Sequence, residues 1–250
     1  MGKLIEFKDV TISLHDRVLY DKLNLTINSG DRYIYLGPNG VGKSLLLEIL
    51  AYGYCGDLCN RYEGLKVTGV IEDSEGRDLL DPQTPREFAY AQQVEDFYEN
   101  TTVREEAETS CAGVGLELDE PELDRLLEMF SLSDKKTKKI KRNVSFGEGK
   151  MIHLICVALK LKVCPVLLLD EPLNHLSFRN SQLFNKLINE IISKNPDLAI
   201  VMVSHCRAVD FTQKALIYDL PTKNIKTSEY SPYNCFADDI GRELGCESNL

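Results

Sequence analysis

The stretch G-P-N-G-V-G-K-S at residues 37–44 limits what this chain can fold into more than any other, because of what stands on either side of it. Tyr33-Ile34-Tyr35-Leu36 before it is apolar enough for a buried strand, and the leucine-rich run from residue 43 to about 50 reads as a helix. A strand, a glycine-rich turn and a helix in that order bring turn amides and helix-opening amides onto one concave spot that favours an anion. The glycines let the main chain approach a ligand closely, and the pattern adds a lysine and a hydroxyl. A polyphosphate fits this set. Gly37, Pro38, Asn39, Gly40, Val41, Gly42, Lys43, Ser44 and Leu45 form the expected cradle, with Lys43 reaching the terminal phosphates and Ser44 holding Mg2+.

Two further apolar runs end in chemistry. Val166-Leu167-Leu168-Leu169 has the unbroken character of a strand covered on both faces, and it stops at Asp170-Glu171-Pro172. Two adjacent carboxylates there need a cation: Asp170 is expected to hold Mg2+, and Glu171 to orient and deprotonate the water that attacks a terminal phosphate. Ala199-Ile200-Val201-Met202-Val203 ends at Ser204-His205. In an open parallel sheet, ligands bind beyond the carboxyl ends of the strands, which makes His205 a sensor of the terminal phosphate.

Between the first helix and the acid pair lie more than a hundred residues, too many for a simple crossover, so an inserted lobe is expected. Leu123, Leu126, Leu127 and Phe130 recur at helical spacing and make that lobe partly helical. Ahead of it Phe88-Ala89-Tyr90-Ala91 reads as a short strand ending in Gln92-Gln93, and Gln93 is placed to reach Mg2+ or the attacking water.

Composition excludes several classes. The net charge of −10 argues against nucleic acid as a generic partner, although residues 135–142 form a local basic run, read either as a solvated loop or helix end or as an RNA or anionic-lipid contact. No apolar run reaches the roughly eighteen residues of a membrane span, and Lys3, Glu6 and Asp9 break up the start too early for a secretory signal. Eight cysteines without an export signal read as reduced thiols, so the expected compartment is the cytoplasm. Cys55 and Cys59 have no second pair to complete a metal site.

Taken in order, GPNGVGKS, Gln93, VSFGE at 144–148, LLLDEP at 167–172, NHL at 174–176 and His205 resemble the ATP-binding cassette (ABC) ATPases. The resemblance covers residues 4 to 220 or so. It implies an α/β fold with a P-loop NTPase core, a mostly parallel central sheet, an N-terminal antiparallel β lobe and an inserted helical subdomain at about 96–165. Residues 1–225 would be one ABC ATPase domain, and residues 226–250 a tail without an assigned role. It further implies Mg-dependent ATP hydrolysis in a head-to-tail dimer, in which Ser145, Gly147 and Glu148, at the start of a helix, serve the partner cassette's ATP. Helix-opening amides supply the physical basis for that role.

Three positions depart from the family pattern. Phe146 replaces a signature glycine and adds bulk near a phosphate. Ser177 stands where an aspartate usually follows NHL. The adenine-stacking aromatic has only His15 as its counterpart. Lys43, Ser44, Asp170, Glu171 and His205 are intact, and hydrolysis is expected.

Two uses of the ATPase remain open, beside a cassette that only binds. One is the ATPase subunit of a transporter with a separate permease, on the inner face of the membrane, favoured by Thr101-Thr102-Val103-Arg104-Glu105, which resembles the TVRE-type segment of transporter cassettes. The other is a soluble, permease-free protein of the ABC-F type acting on ribosomes or nucleic acid, favoured by the NHL triplet and the basic run.

Overall fold

The computed structural model describes residues 2–93, 97–174, 176–204 and 211–230. In chain order its elements are β1 (Lys3–Leu14), β2 (Arg17–Asn28), β3 (Arg32–Leu36), α1 (Lys43–Tyr52), α2 (Gly56–Arg61), β4 (Leu65–Asp73), β5 (Phe88–Ala91), α3 (Val103–Ala112), α4 (Glu120–Met129), α5 (Ile140–Asn143), α6 (Phe146–Lys160), β6 (Val166–Asp170), α7 (Phe178–Lys194), β7 (Ala199–Val203), β8 (Lys214–Asp219) and β9 (Asn224–Glu229). They fall into two compact units: the described residues of Met1–Arg86 with Pro196–Leu250, and those of Glu87–Asn195.

In the first unit β1 is paired antiparallel on both sides, by β2 and by β4. Its buried residues are Ile5 and Phe7, then Val10 and Ile12. The change of parity comes from a bulge between Phe7 and Val10, where Asp9 takes a φ of 48°. Gly69 on β4 crosses that bulge at φ 92°, and a Cβ there would stand 2.5 Å from the Asp9 carbonyl oxygen. Only glycine fits. The antiparallel lobe is therefore not completed before the phosphate loop, because its third strand arrives after α1.

The same unit holds β3 in parallel register between β7 and β8, with β9 antiparallel on β8. β7 is buried throughout and β3 at all but Arg32, which explains runs without alternation. The Asp31 carboxylate closes the β2–β3 turn, accepting from the Asn28 amide at 2.8 Å and from Lys214 at 2.8 Å. Beneath the loop, the hydroxyls of Tyr20 and Tyr35 share a buried hydrogen bond of 2.7 Å. The ring of Tyr218 meets that of Tyr20 edge-on at 5.5 Å, and its hydroxyl donates to the Leu19 carbonyl.

The expected tail at 226–250 needs correction at its start, since residue 226 lies inside β9. That strand, N-I-K-T-S-E, is mostly exposed and carries no apolar pattern, so only its main-chain ladder with β8 reveals it.

In the second unit β5 and β6 are parallel. The expected insertion, 96–165, contains α3, α4, α5 and α6. α3 opens on a reciprocal cap between Thr102 and Glu105. α4 opens on Asp119 with Pro121 in its first turn and buries Leu123, Leu126 and Leu127. Part of the basic run is spent internally: Lys136 pairs with Asp124 at 2.6 Å and Glu120 at 2.7 Å, while Ile140 is buried. No helix of the described residues is long and apolar enough to cross a membrane.

Candidate functional site

The phosphate-loop residues follow β3 directly. Gly42 is the N-cap of α1 at φ 99°, and a Cβ there would press on Leu19 and Tyr20 at 3.2 Å each. A Cβ on Gly37 would stand 2.8 Å from the Cβ of Tyr218, so the loop lies tight against its own strands. Val41 and Leu45 are buried anchors, whereas Asn39 and Gly40 are exposed at the tip. Lys43 is buried, and its ammonium donates to the carbonyl oxygens of Gly37 at 2.7 Å and Pro38 at 2.8 Å. The lysine thus bridges the loop's own main chain, across the opening an anion would fill. Ser44 follows in the first turn of α1, where the helix-opening amides project.

His15 sits in the β1–β2 turn at φ 52°. Its amide donates to the Gly64 carbonyl at 3.0 Å, and a Cβ on Gly64 would overlap the imidazole Nδ1 at 2.4 Å. The ring is exposed on one side and backed by the Gly64 main chain on the other.

In the second unit β6 is wholly buried and delivers Asp170 at its end, 1% exposed. Glu171 turns the chain with φ 46°, a left-handed conformation that costs energy for a residue with a Cβ. Asn174 secures it: its amide nitrogen donates to the Glu171 carbonyl at 3.2 Å, and its side-chain amide donates to Glu171 Oε2. Ser177 caps α7, accepting from the Asn180 amide at 3.2 Å, so the residue that replaces the family aspartate still does an N-cap's work.

Ser145 caps α6. Its hydroxyl accepts from the Glu148 amide, and the Glu148 carboxylate accepts from the Ser145 amide at 2.7 Å. That main-chain bond, with the Ser145 hydroxyl and nearby Lys135, holds the Glu148 carboxyl below the usual glutamate range despite some burial. Phe146, in the first turn, is 55% exposed. Gln93 lies two residues past β5 with its side chain exposed. His205 lies outside the described residues, as does His175 of the NHL triplet.

Set beside known proteins, the chain finds a match that takes in both the phosphate loop and, later in the sequence, the acid pair: the family model described as ABC transporter aligns with residues 20–174. The chain belongs to the ABC transporter family. As a member of the ABC family it is an ATP-binding ATPase, with the α/β architecture read from its sequence. A solved structure titled as the ATP binding subunit of an ABC transporter superposes with a TM-score of 0.72 at 23% identity, covering 97% of this chain and 95% of that one. Among ABC relatives, the high-affinity zinc uptake system ATP-binding protein ZnuC of Bacillus subtilis is 28% identical over 81% of this chain and 84% of its own length. The nickel import ATP-binding protein LarO of Lactiplantibacillus plantarum is 29% identical over 81% of this chain and 82% of its own. ABC transporter F family member 2 of Arabidopsis thaliana is 24% identical, and there the match spans only 26% of the relative's length.

Sequence reasoning missed Asn174 as a ligand of Glu171 and Lys150 altogether. The signal for Lys150 was a cation standing immediately before the largely apolar run M-I-H-L-I-C-V-A-L at 151–159.

Proposed function

We propose that this ABC ATPase energises transport through a separate membrane permease, working as a head-to-tail pair of cassettes on the membrane's inner face. The observation that carries the ATPase part is the intact phosphate loop, with Lys43 already bent over its carbonyls. In this reading the amides of residues 37–45 and the Lys43 ammonium bind the phosphates of ATP. His15 offers its open face to the adenine. Glu171, whose carboxylate is held by the Asn174 side chain, orients and deprotonates the attacking water.

Mg2+ is assigned, on sequence position, to the Ser44 hydroxyl, the Asp170 carboxylate and the Gln93 amide, whose hard oxygens are of the kind this ion takes. Bound there, the ion would offset charge on the phosphates. His205 is assigned the terminal phosphate on its sequence position. Ser145, Gly147 and Glu148 are assigned to the partner cassette's ATP.

Transport is favoured by similarity to ATP-binding proteins named for zinc uptake and nickel import, over more than four-fifths of each chain. A soluble, ABC-F-like role is the second reading, supported by the NHL triplet and by similarity to an F-family member. Replacing Glu171 by Gln tests the core of the proposal. That variant is expected to bind ATP, fail to hydrolyse it and accumulate as a dimer; a monomer at saturating ATP would discard the split site. Fractionation decides between the two uses, since membrane association supports transport and ribosome retention through moderate salt supports the second.

A further inference from the structure

Lys150, one turn into α6, is only 1% exposed. A buried ammonium is costly unless acceptors replace water, and here its Nζ donates to the main-chain oxygens of Gln92 and Gln93 at 2.9 Å each. Both carbonyls lie just past β5, where the strand ladder no longer fixes them. A second contact grips the chain from Phe97, whose ring meets His153 edge-on at 6.4 Å between centroids. Gly149 lies beside the same ring, since a Cβ there would rest in ordinary contact with Phe97 at 3.5 Å. Residues 149, 150 and 153 therefore form one face of α6 that holds residues 92–93 and 97.

We propose that Lys150 is a positioning residue that locks Gln93 to the helix opened by Ser145 and Gly147, so that the two move as one body. This rests on the reading that Gln93 serves Mg2+ in its own cassette while Ser145 and Gly147 serve the partner's ATP. On that reading, Lys150 joins the two nucleotide sites of a dimer through a single chain. The lock acts on the main chain of Gln93, which leaves its side-chain amide free to reach the metal. Lysine suits the task because one ammonium has three donors and can satisfy two carbonyls at once. Methionine at 150 would keep the volume and remove both bonds.

The test is a double-substitution cycle on the purified full chain. Lys150→Met is expected to lower kcat about tenfold with ATP affinity within about twofold, the pattern of a group that matters after binding. The Mg2+ concentration for half-maximal activity should rise, and Lys150→Arg should restore most of both. In the Gln93→Ala background, Lys150→Met should cost nothing further, because both changes remove one unit. Multiplicative losses overturn the lock, as does a Lys150→Met enzyme with unaltered kcat and Mg2+ response. A Gln93→Ala enzyme indistinguishable from the wild type overturns the assignment of Gln93 itself. If Lys150→Met does not fold, hydrogen exchange on the wild type decides: peptides carrying Gln92-Gln93 and Ser145-Gly147 should gain protection together on adding Mg-ATP, and protection of one alone overturns the proposal.

Discussion

The amide of Ser145 donates to the carboxylate of Glu148 at 2.7 Å, and the hydroxyl of Ser145 accepts from the amide of Glu148 in return. This closed cap places a carboxylate, ionised at neutral pH, at the helix end assigned to the partner's phosphates. Glutamine can make the same reciprocal cap without the charge. Glu148→Gln is therefore expected to lower the melting temperature only slightly, through the lost charge at the helix start, and to tighten ATP-dependent dimerisation, measured by light scattering in a hydrolysis-deficient Glu171→Gln background. A looser dimer would mean that the carboxylate makes an attractive contact.

Lys43 contributes a charge-assisted contact worth about 1.5–3 kcal/mol in such settings. Lys43→Ala should accordingly weaken ATP binding by roughly 10- to 150-fold, read by calorimetry. Unchanged affinity would remove the phosphate loop from nucleotide binding.

Phe146 is 55% exposed at the start of α6, so its ring supports little of the core. Phe146→Gly should cost no more than about 1 kcal/mol of stability. Turnover is expected to rise, because a phosphate could then approach the main chain more closely. Slower turnover at unchanged stability would assign the ring a role of its own.

His153 gives a pH dependence with a defined sign. Burial, reinforced by the nearby charges of Lys150 and Lys160, pushes its pKa from 6.5 down to about 3. The folded state keeps the ring neutral, whereas the unfolded chain protonates it below 6.5. This group's contribution is thus complete above 6.5 and declines at about 1.4 kcal/mol per pH unit as the pH falls toward 3. Denaturant titrations at pH 7, 6 and 5 should show that slope in the wild type and its loss in His153→Asn.

Much of this molecule was legible because several of its strands are apolar without interruption. β3, β6 and β7 were readable from Tyr33, Val166 and Ala199 onward, and their ends gave the loop and the acid pair. Helix α4 declared itself through the spacing of Leu123, Leu126 and Leu127. What stayed hidden depends on partners distant in sequence. β9 is set by its ladder to β8, Gly69 by a bulge at Asp9 on another strand, and Lys150 by carbonyls 57 and 58 residues earlier. The Asn174 side chain reaches only three residues back, yet its target is defined by the left-handed turn at Glu171, which no local pattern announces.

The shared hydroxyl bond of Tyr20 and Tyr35 carries an evolutionary corollary. Losing either oxygen alone strands the other in a dry interior, while exchanging both for phenylalanine removes the mismatch altogether. Among descendants of this chain, the two positions should drift in concert, and a lone tyrosine at either one should be the rarest state.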